Sequence, residues 1–342
     1  MRDTGCAGRF HREMTNPRAL SLIDDHARRD VISKQNIPAH PVSRIPHLAS
    51  FAALALLICA FLTGCSAVER VGMRVLYRRA ALPEQQITRD IPYVRGSTLP
   101  KHQLDLFHPA GRGWPVFVFI HGGSWDSGDK ALNVADQDVY GNIGRFYAAR
   151  GIGVAVINYR LQPDATWREQ IDDASQAVAW VRNSIAQYGG DANRVFVGGH
   201  SAGAHLAAHV ALRGRVAGAI CISGAGYDMA DAETYRLGNK PAFYAERFAQ
   251  NGANPDWQRN ASPATSIHKN APPFLLLYAQ GDSAPLRRQS RHMHGLLQAA
   301  GVKSKLIEIP GESHIRIVLA LTRADKAAAP EILRFIEEGK MR

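Results

Sequence analysis

RVFVGGHSAGAHLAA, residues 194–208, joins a short apolar run to an alanine-rich run through Gly199-His200-Ser201-Ala202-Gly203. Val195-Phe196-Val197 has the apolar, β-branched character of a buried strand. Ala202–Leu212 is made of good helix formers and reads as a helix. A G-x-S-x-G between strand and helix is the setting of a nucleophile elbow, in which the serine sits on a sharp turn with its hydroxyl exposed at the top of a sheet. The two glycines permit a turn that a Cβ would obstruct. Ser201 is therefore the candidate nucleophile, set against the plainer reading of an ordinary Gly/Ser turn.

Working outward, apolar strand patterns alternate with helical ones. Strands are expected at 103–107, 115–120, 152–159, 194–198, 216–223, 273–279 and 305–309. Helices are expected at 167–188, 202–212, 287–300 and 330–338, with helical content around 71–79. Strands alternating with helices imply βαβ units and a mainly parallel, doubly wound α/β sheet. Strands apolar on both faces agree with that burial. Residues 226–269, rich in Tyr, Phe, Asn and Pro, break the alternation and read as a cap or lid insert with a helix near 241–249. The expected division is an N-terminal extension and signal at 1–64, a lead-in linker at 65–90, and a catalytic domain at 91–342.

The remaining chemistry follows the elbow. His121-Gly122-Gly123-Ser124-Trp125 comes directly after an expected strand. Acyl transfer passes through a tetrahedral oxyanion, and donors must be waiting where that charge develops. The glycines let backbone N–H groups approach closely, so Gly122, Gly123 and Ala202 are the expected oxyanion donors. Trp125 either lines the acyl pocket or packs beneath the loop, and His200 is a further pocket candidate. The base should follow the last strand, which selects His314 in Gly311-Glu312-Ser313-His314. The acid should lie between the two, after a strand. Asp282 follows Phe274–Ala279, with Asp228 and Asp231 as rivals one strand earlier. An ionised acid fixes the imidazole tautomer and stabilises the imidazolium. The order Ser201, Asp282, His314 differs from the chymotrypsin and subtilisin orders. Asp191-Ala192-Asn193-Arg194 reads as a turn with a local ion pair, and Tyr159-Arg160 as support for the oxyanion loop. His292 and His294 stand at i, i+2, which points their rings apart on a helix, so no metal site is expected there. No organic cofactor is implied.

The chain of 342 residues is 46% apolar with a formal net charge of +11, of which +3 precedes Cys65. The basic residues are scattered and no nucleic-acid motif occurs, so they read as a solvated surface. Leu48–Cys65 is an uncharged apolar stretch behind Arg44 and resembles an export signal. Its end, Leu62-Thr63-Gly64-Cys65, looks like a bacterial lipobox with Cys65 as the lipidated residue, implying an exported protein anchored to the cell envelope. The rival is an uncleaved anchor, though the stretch is marginal for a hydrocarbon core of about 30 Å. A signal lying so far into the chain suggests translation from Val42. Cys6 and Cys59 would then be absent from the mature protein, leaving Cys221 as a small buried hydrophobe and no disulfide framework.

HGGSWDSGDK (121–130), residues 154–208 and PGESHIRIV (310–318) together resemble the carboxylesterase/kynurenine formamidase branch of the α/β-hydrolases. That branch also holds feruloyl-esterase-like proteins and isoprenylcysteine methylesterases. The resemblance spans roughly residues 90–338. Gly281-Asp282-Ser283 with Arg288-Gln289-Ser290 looks like the acid loop of arylformamidases. The resemblance implies the triad Ser201, Asp282 and His314 with donors at Gly122, Gly123 and Ala202. The implied activity is hydrolysis of small or aryl carboxylic esters. An arylformamidase-type amidase and a non-catalytic envelope lipoprotein that kept the fold are the alternatives. The insert at 226–269 matches the branch least.

Overall fold

The computed structural model describes residues 77–238, 241–249 and 255–339. The expected signal, Cys65 and most of the expected helix at 71–79 lie outside the described residues. Tyr77 to Pro83 carry no regular structure.

Eight strands form one sheet: β1 (Ile87–Pro92), β2 (Gln103–Phe107), β3 (Trp114–Ile120), β6 (Gly153–Ile157), β7 (Gly190–His200), β8 (Gly218–Ile222), β9 (Phe274–Ala279) and β10 (Ser304–Ile309). A two-stranded ribbon, β4 (Asn133–Val134) with β5 (Gln137–Asp138), stands apart. The sheet order is β1-β2-β6-β3-β7-β8-β9-β10. From β6 to β10 every pairing is parallel, while β2 is antiparallel to both its neighbours. The central strands are buried along their whole length, as WPVFVFI in β3 and FLLLYA in β9 require. From β3 the chain crosses to β6 on one side and then to β7 on the other. The sheet therefore reverses its winding at β3, and ligands of such sheets bind at the carboxyl ends flanking that switch point.

The helices are α1 (Val139–Ala148), α2 (Trp167–Ser184), α3 (Ala202–Leu212), α4 (Ala232–Arg236), α5 (Pro241–Phe248), α6 (Trp257–Asn260), α7 (Ala284–Ala299), α8 (Arg316–Ala320) and α9 (Ala328–Glu338). One sheet face packs against α2, α3 and α7, through Ala174, Leu206 and Met293 among others. The other packs against α1, α8 and α9, through Ile143, Ile317 and Ile332. A capping box starts α2: Thr166 Oγ accepts from the Glu169 N–H while the Glu169 carboxylate accepts from the Thr166 N–H.

The structure departs from the sequence expectation in three places. β1 begins inside the stretch read as a linker, and Leu82 ahead of it is buried. Residues 191–194 fall within the bounds of β7 but loop out of its register between Gly190 and Val195, with the Asn193 N–H donating to Asp191 Oδ1, and Arg194 donates to the Gly113 carbonyl rather than to the Asp191 carboxylate. Helix α1 was not expected at all. The insert carries α4, α5 and α6. Tyr244 and Phe248 of α5 are buried against the Trp125 ring, at centroid distances of 6.1 and 4.9 Å.

Candidate active site

The sharpest backbone feature is Ser201, between β7 and α3, at φ 54° and ψ −118°. This is left-handed space that a side chain occupies at a cost of order 1–3 kcal/mol. Its neighbours leave no alternative. A Cβ at Gly199 or Gly203 would drive into the Ile120 carbonyl at the end of β3. Ser201 is held instead by its N–H, which donates to the Ile222 carbonyl.

His314, from the loop after β10, brings Nε2 to 3.0 Å from Ser201 Oγ. Its Nδ1 lies 2.7 Å from Asp282 Oδ1. The carboxylate requires a donor there, so Nδ1 carries the proton and Nε2 is left to accept from the hydroxyl. Asp282 is buried at the end of β9, and its Oδ2 accepts from Ser223 Oγ at 2.7 Å and from the Ala279 N–H at 2.9 Å. Burial works to raise the Asp282 pKa. The hydrogen bond and charge of His314, with the Ser223 and Ala279 donors, outweigh it and hold the carboxyl below its ordinary value. The acid and base loops are tied by the Gly281 N–H donating to the Glu312 carbonyl. The rivals for the acid have other partners: Asp228 meets His292 at 3.0 Å, and Asp231 grips Arg288. His294 turns away to Ser304. Ser223 was missed by sequence reasoning. Its only signal was a small polar residue closing the apolar strand β8.

The oxyanion loop follows β3. His121 is buried, its Nδ1 on the Gly122 carbonyl and its ring stacked 4.4 Å from Tyr159, whose hydroxyl donates to the His121 carbonyl. Gly122 is buried against His200 and Ser201, and its amide works to lower the pKa of the Tyr140 phenol, which burial pushes up to about 12. The N–H groups of Gly123, Ser124 and Ala202 meet no acceptor among the described residues. Gly123, at φ 124°, admits no side chain, because a Cβ would enter the Ser127 carbonyl. Ser124 and Tyr140 were not singled out from sequence.

Of the two positions expected for Trp125 the structure has the one beneath the loop, and His200 does not sit on a pocket wall. Trp125 is 1% exposed and packs beneath the loop, its Nε1 donating to His205 Nδ1 at 3.3 Å. His200 is buried, and its Nε2 donates to the His314 carbonyl at 2.7 Å. Its ring centroid lies 4.7 Å from that of the base. It holds the base loop rather than facing open space. The insert is fastened to the oxyanion loop by Arg247 of α5, which donates to the Ser124 carbonyl at 3.0 Å and to Asp126 at 2.7 Å.

Four histidines around this site are buried and neutral. Burial pushes His200 down to about 3, and His121 and His209 down to about 4. Burial and the neighbouring His209 hold His205 well below its ordinary value. Unfolded imidazoles protonate near pH 6.5, so below that pH the unfolded chain binds more protons than the folded one. The stability these groups hold is complete above about pH 6.5 and is lost as pH falls toward 4, each contributing up to about 1.4 kcal/mol per pH unit. The melting temperature is expected to fall by about 10 °C or more between pH 7 and pH 5. A flat profile by calorimetry over that range would mean that the rings are charged or hydrated in the native state.

A sheet reversed at β3, with a strained serine at the end of β7 and a histidine after the last strand, defines the α/β-hydrolase class. The chain belongs to it: the profile of the alpha/beta hydrolase fold family matches residues 117–317. Esterase LipQ of Mycobacterium tuberculosis is 32% identical over 70% of this chain and 60% of its own length. The isoprenylcysteine alpha-carbonyl methylesterase ICME of Arabidopsis thaliana is 28% identical over 69% of this chain and 58% of its own. The chain thus spans some 60% of these relatives' length. Among solved structures, a truncated carbohydrate esterase from gut microbiota has a TM-score of 0.65 at 21% identity, covering 77% of this chain and 98% of that one. Esterase B from Lactobacillus rhamnosis has a TM-score of 0.64 at 22% identity, covering 85% of this chain and 95% of that one. These likenesses establish the fold.

Proposed function

We propose that the protein is a carboxylic ester hydrolase acting through a Ser201 acyl-enzyme on esters with small or aryl groups. The observation that carries this reading is the contact chain Ser201–His314–Asp282, at 3.0 and 2.7 Å, beside unspent backbone N–H groups. His314 takes the Ser201 proton as the hydroxyl oxygen attacks the ester carbonyl. The oxyanion is received by the N–H groups of Gly122, Gly123 and Ala202, with Ser124 next to them. His314 then protonates the leaving alkoxide, and water hydrolyses the acyl-enzyme by the same steps in reverse. Ester chemistry is supported by the esterase names of the curated relatives. Exposed Ile315, adjacent to His314, offers an apolar contact for an acyl or alcohol group. Hydrolysis of p-nitrophenyl esters of increasing acyl length by the full chain tests the reading, with Ser201→Ala alongside. Equal rates in both proteins would overturn it.

The protein is further proposed to be exported and lipidated at Cys65, on the strength of Leu62-Thr63-Gly64-Cys65 behind an uncharged apolar run. No helix among the described residues is long and apolar enough to cross a membrane. The full chain expressed in bacteria is expected to incorporate labelled palmitate, and Cys65→Ser to lose the label. Equal labelling of both would exclude this anchor.

A further inference from the structure

The segments leaving the carboxyl ends of β8 and β9 lead into α4 and α7, which pack on one another and together line a cleft of about 710 Å³. Both segments leave the carboxyl edge of the sheet, at which Ser201 and Asp282 also stand. Four arginines line it, Arg236 from α4 and Arg287, Arg288 and Arg291 from α7, against only two carboxylates, Asp231 and Glu233. Both carboxylates are spent. Asp231 accepts from Arg288 through both oxygens, at 2.9 and 3.0 Å, and Glu233 pairs with Arg236. Arg291 donates to the Tyr278 hydroxyl at 3.0 Å and stands 3.6 Å from Glu308. Arg287 donates only to carbonyls, those of Gln280 at 2.9 Å and Asp282 at 2.8 Å, and meets no carboxylate among the described residues.

This arrangement opposes helix energetics. Arg287 and Arg288 stand near the positive end of α7, where anions rather than cations are stabilised. Arg287 and Arg291 are like charges at i, i+4, and Arg288 and Arg291 at i, i+3. Arg287 has no carboxylate partner among the described residues, and the carboxylate pairs of Arg236 and Arg291 are solvent-exposed, so an anionic ligand would compensate the cluster. Guanidinium forks match carboxylate and phosphate oxygens in pairs. The volume lies in the range of small-molecule sites, well beyond the needs of a bare ion.

We propose that this cleft binds a small molecule bearing a carboxylate or phosphate group, received by Arg287 and Arg291, with Arg236 facing them from α4. The anion is either part of the ester substrate or a separate ligand, and only the first of these rests on the esterase reading.

The full chain is titrated with succinate and with inorganic phosphate, against chloride at matched ionic strength, by calorimetry and thermal shift. At least one of the two anions is expected to bind, and the double variant R236Q/R291Q to bind it about tenfold more weakly. Binding no stronger than that of chloride, or equal binding by the variant, would overturn the proposal. A second arm compares p-nitrophenyl butyrate with mono-p-nitrophenyl succinate. A variant that loses its preference for the charged ester assigns the anion to the substrate. An unchanged preference with weakened anion binding assigns it to a separate ligand. Binding is read without turnover, so absence of esterase activity leaves this test intact. Active enzyme that binds neither anion overturns the cleft alone.

Discussion

Ser201→Ala is expected to lower kcat for a p-nitrophenyl ester by about 10⁴- to 10⁶-fold while KM stays within a few fold. The asymmetry follows from where Oγ acts. In the ground state the hydroxyl makes one hydrogen bond, to His314 at 3.0 Å, and forms no part of the packed core. In the transition state it is the atom that bonds to carbon, and no neighbour can replace it. Cys221, the other nucleophilic side chain near the elbow, is buried with its thiol pushed up to about 12, so it supplies no thiolate. The variant keeps the backbone donors of Gly123 and Ala202, so water attack in the same cradle sets the residual rate. Folding should be little changed, because alanine accepts the same strained turn and loses only that one partly exposed hydrogen bond. A fluorophosphonate probe should label the native protein and leave the variant unlabelled. Labelling of both would put the nucleophile elsewhere, and loss of labelling with unchanged ester turnover would separate the probe site from the chemistry.

How far the sequence was legible depended on whether a feature was local. The elbow was local: the glycines, the serine and the flanking strand and helix lie within residues 194–212, and every residue type but the strained Ser201 agrees with the backbone it adopts. Asp282 and His314 were found by chain order, since each follows an apolar strand of the sheet. Helix α1 was not legible. VYGNIGRFYA carries two glycines and several β-branched and aromatic residues, which disfavour a helix in isolation. Tertiary packing overrides that preference: all ten residues are buried, and Gly144 presses so close to the Phe107 ring that a Cβ would collide with it. The cost of missing α1 reappears in the active site. Tyr140 belongs to α1, and its buried phenol stands by the Gly122 amide and stacks against the His121 ring of the oxyanion loop. Strand β1 escaped for the opposite reason. ITRDIP lies at a sheet edge, has a register shift between Thr88 and Ile91, and buries none of its residues fully. Flanking the catalytic motifs makes His200 a pocket candidate in the sequence and leaves Trp125 undecided between the pocket and the underside of the loop. Their actual partners, His205 and the His314 carbonyl, are 80 and 114 residues away.

Asp282→Asn is expected to cost about 10³- to 10⁴-fold in kcat without displacing a single backbone atom. The aspartate accepts from three directions: His314 Nδ1, Ser223 Oγ and the Ala279 N–H. An asparagine can keep the Ser223 and Ala279 bonds only by presenting its carbonyl oxygen to them, which turns its NH₂ toward His314. Nδ1 must then accept, so the ring carries its proton on Nε2, facing Ser201. A base in that tautomer cannot take the serine proton, and the imidazolium formed during attack also loses its counter-charge. The opposite rotamer would satisfy His314 but aim two donors at the Ala279 N–H, which a buried site does not tolerate. Ser223→Ala provides the internal control. It removes one donor to the acid and leaves the tautomer intact, so its loss should be smaller, about tenfold, with the same pH profile shape. The ordering of the two variants is the test. If Asp282→Asn retained more than a tenth of native kcat, the acid would not be orienting His314. Neither Asp228 nor Asp231 could take its place without releasing His292 or Arg288.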